Sequence, residues 1–242
     1  VDHSDSLGAA GRFGNGDVQW MTAGKGVQHC EMFPLLNRSK NNQLLMFQIW
    51  INLPKAKKMC NPHFYMLWSE EIPKYIHNDD QNKKTEVTVI AGTLFDTKGL
   101  PPAPDSWANE TENGVCIWTL EMEPWAQWVL PAHVADLSRT LYYFQGKYVE
   151  LENKKLLPNH AIEMVSDQSL RITNGPETSH FLLLQGKPID EPIAQYGPFV
   201  MTHQSEIQET IREYQLTQFG GWPWPKPDHT HAPMSGRFAK YA

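Results

Sequence analysis

Polar and apolar residues alternate in short runs along most of this chain, the period of two that belongs to β-strands with one covered face. Val18 to Met21 and Val27 to Met32 are the first such runs, bracketed by the turn residues Asn15-Gly16-Asp17 and by the glycine-bearing stretch Thr22 to Gly26. Further runs follow at Val87 to Thr93, Val115 to Glu121, Ala126 to Leu130, Thr140 to Gln145, Lys147 to Leu151, His160 to Val165, Leu170 to Asn174 and His180 to Gln185. Many short strands at this spacing predict antiparallel barrels or sandwiches, so the fold class is mainly all-β. Gln43 to Leu53 is different, because Leu45, Phe47, Ile49 and Ile51 fall on one face while Leu44, Met46 and Trp50 fall on the other. Apolar on both sides, it predicts a strand in the middle of a barrel. Thr202 to Phe219 alone carries helical spacing, with Ile207, Ile211 and Tyr214 as its stripe, Ser205 and Gln208 as a capping box and Gly220-Gly221 as its stop.

The polar stretch Tyr75 to Thr85 reads as a domain boundary. It divides the chain into an N-terminal barrel over 1–80, a second barrel over 86–200, and a segment 201–242 that holds the helix and a Pro-broken tail expected to have little regular structure. The first residues, Val1-Asp2-His3-Ser4-Asp5-Ser6, begin in mid-pattern without an initiator Met, as a fragment or a processed chain would, and do not resemble a signal peptide. Among the 242 residues no apolar run is long enough to span a membrane. Three widely separated cysteines, an odd number, predict no disulfide framework, a reducing compartment and hence a cytoplasmic location. The net charge of -6 disfavours direct contact with nucleic-acid phosphates and leaves room for a protein partner.

Candidate chemistry concentrates in Val27 to Met32. On a strand, His29 and Glu31 share one face about 7 Å apart while Cys30 points the other way. An imidazole and a carboxylate that converge in this manner suit iron, manganese or zinc. A His-x-Glu pair on a strand is also what a plain solvated face looks like. His3, beside Asp2 and Asp5, reads as part of an exposed polar stretch, Lys55, Lys57 and Lys58 read as a solvated turn, and His229-Thr230-His231 reads as a chelating spacing stranded in the tail.

The block Gly16-Asp17-Val18-Gln19-Trp20-Met21-Thr22-Ala23-Gly24-Lys25-Gly26-Val27-Gln28-His29-Cys30-Glu31-Met32 resembles the second metal motif of the pirin family of bicupins, two cupin barrels in one chain. Ser69-Glu70-Glu71-Ile72-Pro73 and the run His180 to Phe199 are similar to later parts of that family. The resemblance implies that His29 and Glu31 are two of four ligands to a mononuclear Fe(2+), the others coming from an upstream His-x-His that this sequence lacks. It also implies a flavonol (quercetin) 2,3-dioxygenase that uses dioxygen, with Glu31 doubling as the catalytic base. Trp20, Met21, Phe47 and Trp50 are the expected pocket for a flat aromatic substrate. In the second barrel the positions matching the first cupin motif fall on His133, Ala135 and Arg139, which predicts a metal-free domain. The alternatives are an iron-dependent redox regulator acting through protein partners, and a metal-free inactive homologue.

Overall fold

The computed structural model describes residues 1–241. Strands dominate its regular structure, as expected, and among the described residues there is one α-helix, α1 (Gln204–Thr217). That helix is too short and polar to cross a membrane. The chain divides into two compact units, one made of Val1–Ser69, Ala103–Trp107 and Ile189–Ala242, the other of Glu70–Pro102 and Ala108–Pro188.

The second unit is built on apolar alternation. Its larger sheet runs in the order His160–Glu163, Ser138–Gln145, Ser179–Gly186, Cys116–Met122, Lys84–Ala91, Lys74–Asn78, and a second sheet runs Gln127–Leu130, Leu170–Asn174, Val149–Leu151, Lys154–Leu156. Trp118, Leu120 and Met122 share one face of a central strand, and none is more than 2% exposed. They pack with Leu141, Tyr143, Phe181, Leu183 and Ile172 in one continuous core. The indole of Trp118 is satisfied in that interior by donating to the Ala91 carbonyl at 3.0 Å. The polar stretch read as a domain boundary is instead a hairpin of this unit. Lys74–Asn78 pairs antiparallel with Lys84–Ala91, and the Asp79 carboxylate closes the turn by accepting from the N–H groups of Gln81 and Lys83, both at 2.9 Å.

The first unit is organised around a short, polar strand. β1 (Asp2–Asp5) lies between β2 (Ala10–Arg12) and β4 (His29–Met32), and the strand Phe238–Lys240 pairs with the outer edge of β2. β3 (Val18–Thr22) pairs with β5 (His63–Leu67) in a separate ladder. The turn between β3 and β4 requires glycine at position 24, where φ is 51° and a Cβ would collide with the Cys60 carbonyl. The helix and tail belong to this unit. α1 starts at Gln204, and its N-terminal contacts come from Glu206, not from the Ser205 and Gln208 pair. The Glu206 carboxylate accepts from the N–H and hydroxyl of Thr202, at 3.0 and 2.6 Å, and from the N–H of His203 at 2.9 Å.

One expectation for this unit fails. Gln43 to Leu53 forms no strand, and Leu44, Leu45 and Trp50 are 60%, 69% and 61% exposed. Its alternation has no neighbouring ladder to alternate against, so apolarity alone did not produce a sheet. The tail has little regular structure beyond Phe238–Lys240, as expected, and hydrogen bonds hold it in place. Arg12 donates to the carbonyls of His231, Ala232 and Ser235 while gripping Asp2 with Nε and Nη2, at 2.6 and 2.8 Å. The lysine turn is likewise only partly solvated, because Lys58 is buried and donates from Nζ to Asn52 Oδ1 and to the Val200 carbonyl, at 2.7 and 3.2 Å.

Candidate metal centre

The antiparallel register sets His3 opposite Glu31 and Asp5 opposite His29. Alternation along each strand then collects all four side chains on one face, a two-by-two array of two imidazoles and two carboxylates. The other face carries Asp2, Ser4, Cys30 and Met32, and it is the one turned to the tail. The His231 N–H donates to Asp2 Oδ2 at 2.9 Å, and the Cys30 thiol approaches the His229 carbonyl at 3.8 Å. His229 and His231 therefore lie behind the array, where the His231 ring contacts the backbone carbonyl of His3 at 2.8 Å.

His29 and Glu31 converge, with Nδ1 and Oε1 3.9 Å apart. Donor atoms of His3, His29 and Glu31 all lie within 4.8 Å of one another, the one such group of three among the described residues. Gln19, on β3, donates to Glu31 Oε1 at 3.3 Å and so orients the carboxylate. His29 keeps 31% of its side chain exposed. Partial burial is the main cause that holds its pKa below the ordinary imidazole value, with the His3 ring adding to it and Glu31 and Asp5 opposing it. The ring is thus favoured in the neutral form that a metal requires.

His3 is not exposed, contrary to its reading from sequence. It is wholly buried, because β1 is a central strand and the Phe64 ring stacks on the imidazole with centroids 4.8 Å apart. Its Nδ1 is buried without a hydrogen-bond partner, an arrangement that costs about 1–3 kcal/mol when nothing pairs with the atom. Two imidazoles and a carboxylate, one imidazole with an orphaned nitrogen, form a donor set that fits a divalent transition metal. Sequence reasoning missed His3 and Asp5 because a run of polar residues ordinarily marks an exposed strand. The available signal was that His3-x-Asp5 repeats the spacing of His29-x-Glu31.

Beside the array lies an open cleft of about 500 Å³, bordered by Asp5, Met21, His63, Phe64, Tyr65 and Tyr241 among others. Met21 borders it. Trp20, its neighbour on β3, is 8% exposed and does not, while Phe47 and Trp50 belong to the exposed segment that forms no strand. Of the four residues expected to line a substrate pocket, Met21 alone borders this cleft.

A family profile described as Pirin matches residues 1–51, and one described as Pirin C-terminal cupin domain matches residues 117–220. Pirin of Rattus norvegicus is 30% identical over 239 residues, an alignment spanning 90% of this chain and 70% of the rat protein. The chain belongs to the pirin family. A Pseudomonas aeruginosa relative, provisionally named a quercetin 2,3-dioxygenase, is 33% identical over 230 residues, covering 90% of this pirin-family chain and 72% of its own length. A crystal structure of quercetin 2,3-dioxygenase from Acinetobacter baumannii superposes with a TM-score of 0.70 at 26% identity, over 91% of this chain and 72% of that one. The all-β architecture is therefore that of pirin-family cupins, with relatives and structural neighbours of the quercetin 2,3-dioxygenase type.

Proposed function

We propose that this chain is a metal-dependent dioxygenase for flavonol-like substrates, with Fe(2+) held by His29 and Glu31. The observation that carries the reading is the convergence of a neutral-biased imidazole and a carboxylate, 3.9 Å apart, on one face of the array. Ferrous iron, when bound, supplies the electron source and open coordination positions that dioxygen chemistry needs. The protein's own groups do the rest. Gln19 donates to Glu31 Oε1 at 3.3 Å and so fixes the orientation of the carboxylate, which can bind metal or take the proton of a flavonol hydroxyl. The cleft of about 500 Å³ falls within the usual range for small-molecule sites, and the exposed rings of Tyr65 and Tyr241 offer surface against which a flat ring system packs.

The test is anaerobic loading with ferrous iron, metal analysis, and then quercetin and oxygen. Loss of the quercetin absorption with matching oxygen consumption supports the reading, and Glu31→Gln should abolish both. Iron that binds and cycles between oxidation states without consuming quercetin overturns the dioxygenase and favours the redox regulator. Absence of metal binding favours the inactive homologue.

A further inference from the structure

We propose that His3 is a third metal donor, through Nδ1, and that Asp5 is the positioning residue that keeps that nitrogen available. The proposal deepens the metal reading above and rests on it. Its starting point is the pairing of the ring. His3 Nε2 lies 3.4 Å from Asp5 Oδ2, and Asp5 is only 2% exposed. The other oxygen of Asp5 is already committed, accepting from the N–H groups of Leu7 and Ala9, each at 2.9 Å. Those two bonds lock the carboxylate into the turn after β1, so Oδ2 faces the ring in one fixed orientation.

A carboxylate only accepts hydrogen bonds, so the neutral ring must carry its proton on Nε2. That leaves Nδ1 as a lone pair. Nδ1 is the atom that is buried without a partner, in a ring whose donor lies within 4.8 Å of those of His29 and Glu31. A carboxylate behind an imidazole whose other nitrogen points to a metal is the usual second layer of such sites, fixing the tautomer and raising the basicity of the ligand. Metal bonds of about 2.1 Å set adjacent donors about 3 Å apart, so the three side chains close by roughly one to two ångströms when they bind. The result is two histidines and one carboxylate on one side of an ion, with the remaining positions open.

Two measurements read this without turnover. Pulsed electron paramagnetic resonance of the unmodified chain loaded with Cu(2+) counts coordinated imidazoles, and two are expected. Titration with Co(2+) gives affinity and a visible spectrum. Here His3→Ala should weaken binding at least 100-fold and remove one imidazole from the count. Asp5→Asn is the sharper variant, because the asparagine carbonyl can still serve Leu7 and Ala9 while its NH2 faces the ring as a donor. The proton then moves to Nδ1 and blocks it, which ring nitrogen shifts in the NMR spectrum detect, and affinity should fall 10- to 100-fold. A single coordinated imidazole in the unmodified chain, or affinity within threefold of it in His3→Ala, overturns the assignment of His3. If His29→Ala and Glu31→Gln lose binding while His3→Ala keeps it, the two-residue metal reading survives alone. If the unmodified chain binds neither cation, both readings fail together.

Discussion

The two units of this chain are both antiparallel β-structures, yet they fill their interiors with opposite materials. In the second unit Trp118, Tyr143, Phe181, Leu141 and Leu183 are essentially inaccessible and continuous with one another. In the first, the most buried strand is Asp2-His3-Ser4-Asp5, and the apolar cluster beside it comprises little more than Ala9, Phe64 and Met66. Where the second unit carries a charge inside, that charge serves structure. Arg139 is 3% exposed and donates from Nη1 to the carbonyls of Pro131, at 2.8 Å, and Ser166, at 3.4 Å, at the position where a cupin motif would hold a carboxylate. The lesson is that antiparallel β-structure tolerates either content, apolar side chains throughout or a buried strand of polar ones.

Substitutions can break this contrast. The largest effect is expected from Phe181→Ala, which removes a wholly buried ring from the core of the second unit and should cost about 3–5 kcal/mol in urea unfolding. A loss under 1 kcal/mol would show that the apolar core does not govern that unit. Next is Asp2→Asn, which leaves the Arg12 guanidinium with tail carbonyls but without its carboxylate. The expected cost is about 3 kcal/mol, the lower end for breaking a buried pair because Arg12 is 11% exposed. The same pair has a pH signature. Burial alone pushes the Asp2 carboxyl up, but the Arg12 hydrogen bond and the His231 N–H together outweigh it and hold the pKa below 3.8. A depressed carboxyl contributes in full above about its unfolded value and loses that contribution as pH falls through the folded one. Amide exchange in β1 should therefore accelerate below about pH 4, a dependence that Asp2→Asn removes.

A smaller effect is expected at Glu206. Hydrogen bonds from Thr202, first its hydroxyl, hold the carboxyl at about 2 from a usual 4.5. Helical circular dichroism should be fully supported above about pH 4.5, weaken as pH falls below it, and lose this contribution near 2. Glu206→Gln should flatten that window. The smallest is Trp50→Ser, on the exposed segment, which should change stability by no more than about 0.5 kcal/mol. A loss of several kcal/mol would restore the buried strand that the sequence suggested.

Much of the second unit was legible because alternation and burial coincide there. The run Leu170 to Asn174 was read with the bounds the structure shows, and Val115 to Glu121 is displaced from Cys116–Met122 by one residue. The shared face of His29 and Glu31 follows from the same period of two. What alternation does not encode is which face will be covered, or whether a ladder partner exists. Gln43 to Leu53 had the right residues yet joins no strand ladder among the described residues, whereas β1 had the wrong residues for a core and pairs on both sides. Both errors are tertiary, set by contacts distant in the chain. His3 escaped notice for that reason, since Phe64, Arg12 and the tail together bury a strand whose composition suggests water.

The strand Phe238–Lys240 has a consequence for how the molecule comes into being. Ala10 pairs with Lys240, and Asp2 accepts from the N–H of a residue 229 positions later. On the ribosome the first unit's sheet therefore has to wait, half-assembled, until translation reaches that point, while the second unit, contiguous apart from a short excursion, has already emerged. Slow decoding of the codons for Phe238–Lys240 would prolong the interval in which β1 and β2 are exposed to chaperones and proteases.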